Sequence, residues 1–141
     1  MLEKRGEHSF DHELHGGSRM RVASHFAGSM TLPVAVQTWE LPPGGSEGLH
    51  AHGVGPDAVE EFYLVVSGTA SMRLGELVHE LEAGDCVLAV PGVEHDLRNT
   101  GAGTLRMLVI WGPPGNADLS GFGTVARALS LRSTETDPQN P

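Results

Sequence analysis

With 141 residues, one cysteine and a formal net charge of -9 at pH 7, the chain fits a single domain. A core of that size buries roughly 68–70% of the unfolded surface without a covalent staple. One thiol excludes an internal disulfide and leads us to expect a reducing, cytoplasmic setting. The acidic balance offers no basic patch for a phosphate backbone, so nucleic acid is excluded as an expected partner, and no apolar run reaches the length of a signal peptide or membrane span.

Residues 1–19 are polar and read as an N-terminal arm. His8, His12 and His15 would share a face if the arm were helical, but Gly16, Gly17 and the weak apolar pattern favour a loosely held segment instead. Met20 to Phe26 and Leu32 to Leu41 read as strands; in the second, Leu32, Val34, Val36 and Thr38 alternate with Pro33, Ala35, Gln37 and Trp39. The PPGG at 42–45 forces a turn. Further strands are expected over 61–66, 69–74, 77–81, 86–90, 96–99 and 104–111, joined by short connections rich in glycine. Nineteen glycines and nine prolines between short apolar runs give an all-β class, a sandwich or barrel. Beyond Trp111, GPPGNADLSGFG reads as a loop and TVARALSL as a short helix or an extra strand, while RSTETDPQNP has no apolar anchor and is expected to fray. The organisation is thus an arm over 1–19, a β-domain over 20–112 and a C-terminal extension over 113–141, with no internal repeat.

The chemistry gathers in two stretches. GGSEGLHAHGVGPDAVEEFYLVVSG, 44–68, places His50 and His52 two residues apart and sets Glu61 at the start of an apolar strand. In extended backbone, side chains two apart share a face, so both imidazoles can turn to one point. GDCVLAVPGVEHDLRN, 84–99, adds His95 after a Pro-Gly turn. Three imidazoles and a carboxylate suit a divalent transition metal (Fe, Mn, Ni, Cu, Co or Zn) better than calcium.

These stretches resemble the two motifs of the cupin superfamily. The first motif is Gly, five residues, His-x-His, a short gap, Glu, six residues, Gly, which here is carried by Gly44, His50, His52, Glu61 and Gly68. The second is carried by Gly84, Gly92, His95 and Asn99, with Val90 where the family has a proline. Eight residues separate His52 from Glu61, where the family has three or four; Glu60 is the rival carboxylate, but only Glu61 keeps the six-residue spacing to Gly68. The resemblance spans residues 32–111. It implies a jelly-roll barrel, or double-stranded β-helix, with one metal held by His50, His52, Glu61 and His95 and with Glu61 able to serve also as a base. It further implies an enzyme acting on a small organic molecule, an oxygenase of the dioxygenase type first. The alternatives are an isomerase, cyclase or lyase, or a non-catalytic small-ligand-binding barrel. Pairing of two barrels into a homodimer is a further expectation by analogy of fold.

Tyr63 shares the face of Glu61 on a regular strand, where it either offers a hydroxyl to the cavity as a second catalytic group or serves as a core aromatic. Gln37 and Arg73 are the candidates for holding a substrate oxygen, or else simple outward strand residues. Cys86, in an apolar run, reads as a buried small hydrophobe, and Asn99 as structural. Trp39, Trp111, Met72 and Met107 read as core or pocket wall. The loop 53–60 runs between two candidate ligands and is expected to rim the pocket mouth.

Overall fold

The structure is a computed structural model that describes residues 1–115 and 117–133. Among the described residues, alternation of apolar and polar residues between glycine-bearing turns produces nine strands: β1 (Phe10–Glu13), β2 (Arg19–Ser24), β3 (Ala35–Leu41), β4 (Glu60–Ser67), β5 (Ala70–Leu74), β6 (Leu77–Leu81), β7 (Cys86–Ala89), β8 (His95–Asn99) and β9 (Leu105–Gly112). One helix, α1 (Gly123–Arg132), follows. The strands form a six-stranded sheet ordered β1-β2-β3-β9-β4-β7 and a three-stranded sheet ordered β6-β5-β8, with every pairing antiparallel. This is the jelly-roll barrel expected from the sequence.

The inward faces of the two sheets meet in one core. Trp39, Leu41 and Val109 come from the larger sheet, Ala70, Met72 and Leu97 from the smaller, and all are buried. Full burial of a side chain such as Leu97 contributes about 1.5–3 kcal/mol. Tyr63 belongs to this core and packs edge-on to Trp39 at 5.9 Å between ring centroids. Asn99 has the structural part expected of it: its amide donates to the Leu41 and Gly103 carbonyls, and its side-chain oxygen accepts from Gly101 N.

The N-terminal arm is tied down more firmly than its composition suggests. β1 pairs with β2 in the register Phe10↔Val22 and His12↔Met20, and the following turn is locked against residues 46–48 by backbone contact. A Cβ on Gly17 would fall on the Ser46 and Glu47 carbonyls, and one on Gly48 would lie 2.5 Å from His15 O. Only glycine at both places lets the two segments approach this closely. Ahead of β1, Glu3 accepts from Phe26 N and sits 3.2 Å from His25, while Arg5 pairs with Glu40.

Cys86 is exposed, which corrects the expectation of burial. On β7 it points outward with Leu88, and Ala89 is the strand's buried residue. The segment read as helix or strand forms α1, none of whose residues is buried. The fraying expected over 132–141 falls, from residue 134 on, outside the described residues. No helix among the described residues is long and apolar enough to cross a membrane.

Candidate metal centre and its cavity

Two backbone hydrogen bonds build the site first. His50 N donates to His95 O and His95 N donates to His50 O, at 3.1 and 2.8 Å, so two imidazoles 45 positions apart are clamped side by side. Asp96 fixes the loop beneath: its Oδ1 accepts from Ser46 Oγ at 2.8 Å and from Gly48 N at 3.0 Å. His52 is held by its carbonyl, which accepts from Gly92 N in the turn before β8. β4 supplies Glu61 and Tyr63, two apart on its inward face.

The four expected ligands converge. His95, His52 and His50 place Nε2 at 2.7, 3.0 and 3.7 Å from one atom, Glu61 Oε2. His50 Nδ1 lies 2.8 Å from the Gly48 carbonyl and His95 Nδ1 lies 2.9 Å from that of Val93. A carbonyl only accepts, so in both rings Nδ1 carries a proton and, in the neutral ring, Nε2 presents a lone pair. Those lone pairs face a carboxylate oxygen that is itself only an acceptor. The arrangement is satisfied by extra protons or by a shared cation, and His50 Nε2, buried with no hydrogen-bond partner, is the atom left over. The donor set therefore fits a transition metal on the chemistry of its own atoms, with the Gly48 and Val93 carbonyls already orienting two of the imidazoles. The buried His50-His52-Glu61-His95 group can hold a metal.

Electrostatics follow from the same contacts. Burial pushes the Glu61 carboxyl up, but the imidazoles of His50 and His95 and the Tyr63 hydroxyl outweigh it and hold the group well below the usual carboxylate range. Burial lowers His50 and His95, yet the Glu61 carboxylate and a backbone carbonyl at each Nδ1 leave both raised. Tyr63 is pushed up by burial and by the two carboxylates it touches.

Two further members of the site are not joined to these ligands by the sequence: Glu47 is not singled out there, and His15 is read only with His8 and His12, as a candidate metal-binding face of a helical arm. Glu47, with no solvent exposure, lies 3.8 Å from His50 Nε2 and receives Leu97 N at 3.3 Å. Burial, and next the charge of Glu61, push its carboxyl up to about 7. The Tyr63 hydroxyl lies 2.8 Å from both Glu47 Oε1 and Glu61 Oε2. One hydroxyl proton serves one acceptor, so protonated Glu47 donating to Tyr63, with Tyr63 donating to Glu61, satisfies all three. His15 stacks on His50 with centroids 3.5 Å apart and planes 11° from parallel. Burial and the neighbouring His50 lower its pKa.

Beside the ligands opens a cavity of about 350 Å³ into which His52 and Glu61 face. Its walls are Trp39 and Gln37 of β3, Trp111 of β9, and Phe10 and His12 of β1. From the loop 53–60, expected to rim the mouth, Val59 reaches the lining. Of the two substrate-binding candidates, Gln37 thus lies at the cavity, with its Oε1 accepting from Trp39 Nε1. Arg73 does not: it is exposed on β5 and donates to Gly75 O. Glu60 lies outside the cluster that Glu61 joins.

No curated protein matches the sequence. Among solved structures, a Thermotoga maritima protein provisionally named an oxalate decarboxylase superposes with a TM-score of 0.72 at 24% identity, over 81% of this chain and 100% of that one. A cupin 2 conserved barrel domain protein from Salinispora arenicola gives 0.65 at 17% identity, over 94% and 98%. An Acidithiobacillus ferrooxidans protein provisionally named a sugar phosphate isomerase gives 0.62 at 22% identity, over 73% and 67%. These likenesses are of fold. Residues 37–111, just over half of the chain, match the cupin domain family, and with both motifs folded around one four-residue centre the chain belongs to the cupins.

Proposed function

We propose that the protein is a mononuclear-metal enzyme acting on a small organic molecule, with dioxygenase-type chemistry as the leading reading. The observation that carries it is the convergence of three Nε2 atoms on Glu61 Oε2 at the edge of a largely apolar cavity. A divalent transition metal held by His50, His52, Glu61 and His95 supplies Lewis acidity toward a substrate oxygen and, when redox-active, electrons for dioxygen chemistry. The apolar walls exclude water from the reacting atoms. Tyr63 donates to Glu61 and is itself held by protonated Glu47, so the Glu61 carboxylate is kept at the cavity edge, where it can take a proton from substrate. A carboxylate so placed also supports the second reading, an isomerase or lyase, in which Glu61 moves a proton at the substrate.

Elemental analysis of protein purified without chelators or metal-affinity columns, beside a His50→Ala, His95→Ala double variant, tests the centre. Near-stoichiometric iron, manganese, nickel or copper that disappears in the variant supports it, and oxygen uptake on substrate addition then separates dioxygenase from isomerase. Absence of metal from both, with no stabilisation on adding metal, sinks the proposal. We further place the protein in the cytoplasm as a homodimer, for which the outward row Phe62, Leu88 and Ile110 across β4, β7 and β9 offers an apolar face. A monomeric mass at micromolar concentration by analytical ultracentrifugation would remove that assignment.

A further inference from the structure

We infer that the cavity recognises an uncharged, ring-sized molecule bearing one or two phenol-like or carbonyl oxygens, and discriminates against dicarboxylates and sugar phosphates. The inference rests on the metal reading only for the end of the ligand that meets the ion; the rest comes from the walls.

Both tryptophans of the chain, Trp39 and Trp111, line this cavity, and Phe10, Leu14, Val22 and Val59 complete its apolar surface. A dry apolar cavity of about 150 Å³ already holds benzene. At about 350 Å³, this one admits a substituted ring or two fused rings. Apart from Glu61 its polar groups are few: His12, His15, His52 and the Gln37 amide. Because Gln37 Oε1 is engaged by the Trp39 indole, its NH2 is the end left to act, a donor suited to a carbonyl or hydroxyl oxygen.

Charge decides the discrimination. No lysine or arginine among the described residues lines the cavity. A divalent ion beside ionised Glu61 leaves a net charge of about +1, and Glu47 lies buried just behind. A dianion brought here gives up its water for imidazoles and indoles and is left without the cationic fork that carboxylate and phosphate sites use. A neutral ring meets the apolar walls at little desolvation cost and still presents an oxygen to the ion.

β1 and its turn contribute four of the eleven lining residues, Phe10, His12, Leu14 and His15. Phe10 is 46% exposed on the edge strand, so a substitution there alters the wall without touching the ligands or the core.

The test is calorimetric titration of catechol, oxalate and glucose 6-phosphate into zinc-loaded protein freed of unbound zinc, and into chelator-treated protein, with tryptophan emission read in parallel. Catechol is expected to bind at least about tenfold more tightly than either anion and to change the emission, with the same ranking at lower affinity in the chelator-treated protein. Phe10→Arg, which puts a cation in the wall, is expected to weaken catechol and to tighten oxalate by about two- to fivefold. Oxalate or glucose 6-phosphate binding the wild type as tightly as catechol overturns the inference, as does catechol binding with no change in emission. A protein that takes up no zinc yet keeps the catechol preference sinks the metal reading and sustains this one; zinc uptake with a preference for an anion does the reverse.

Discussion

Raising the pH is expected to weaken the metal-free protein, and Glu47 sets most of the effect. Its carboxyl is pushed up to about 7 in the folded state from an ordinary 4.5, so between those values the folded chain holds a proton that the unfolded chain has released. Stability from this group is fully present below pH 4.5 and is lost as the pH rises through 7. At 1.36 kcal/mol per unit of pKa difference, the loss is about 3 kcal/mol. His50 and His95 act in the same direction, because their raised values give stability that is present below pH 6.5 and lost above it. Glu61, held low, opposes this only below pH 4.5, where its protonation removes stability. Urea denaturation of chelator-treated protein at pH 5, 6, 7 and 8 measures the profile, and Glu47→Gln isolates the carboxyl. The wild type is expected to fall across the series by about 3 kcal/mol or more, and the variant to keep only the shallower histidine slope. With zinc present the slope reverses, since metal and protons compete for the same nitrogens. A flat or rising profile in the metal-free wild type, or an unchanged slope in Glu47→Gln, would refute the reasoning.

Three further outcomes are expected. Zinc at a thousandfold excess over its Kd stabilises the wild type by about 4 kcal/mol, read as a shift in the urea midpoint, and the shift disappears in His50→Ala. Gly17→Ala drives a methyl into the Ser46 and Glu47 carbonyls, costing about 1–3 kcal/mol by the same assay and displacing His15 from His50. Asp96→Ala frees Ser46 Oγ and leaves Gly48 N buried without its carboxylate, costing about 2–3 kcal/mol; metal affinity, measured by competition with a chromophoric chelator, is expected to fall with it because His50 sits on the loosened loop.

What could be seen in the sequence was what neighbours determine. Two histidines at strand spacing, a turn before His95 and a glycine at fixed distance from Glu61 are local facts, and the eight β-strands after the arm follow from alternation between glycine-bearing turns. β1 was hidden because Asp11 and Glu13 dilute the pattern of Phe10, His12 and Leu14, and because the spacing of His8, His12 and His15 suits a helix as well. The signal was there, in a period of two. Glu47 was hidden for another reason: it is held through Leu97 and Tyr63, contacts distant in sequence that nothing near SEG announces. A carboxylate three residues before a candidate ligand, inside a glycine-bracketed turn, was the only hint. Arg73 was legible too: the alternation that puts its neighbour Met72 in the core turns Arg73 outward on β5, where it donates to Gly75 O.

The edge position of β1 separates two properties that are usually entangled. The strand is joined to β2 through backbone groups, and its outer side pairs with nothing among the described residues, so Phe10 and His12 can be exchanged without disturbing a register that the main chain holds. The ligands, by contrast, come from segments bound to each other inside the barrel. On the proposed function, selectivity and metal chemistry would therefore drift independently: a handful of substitutions on one peripheral ribbon would readdress the same centre to a different molecule.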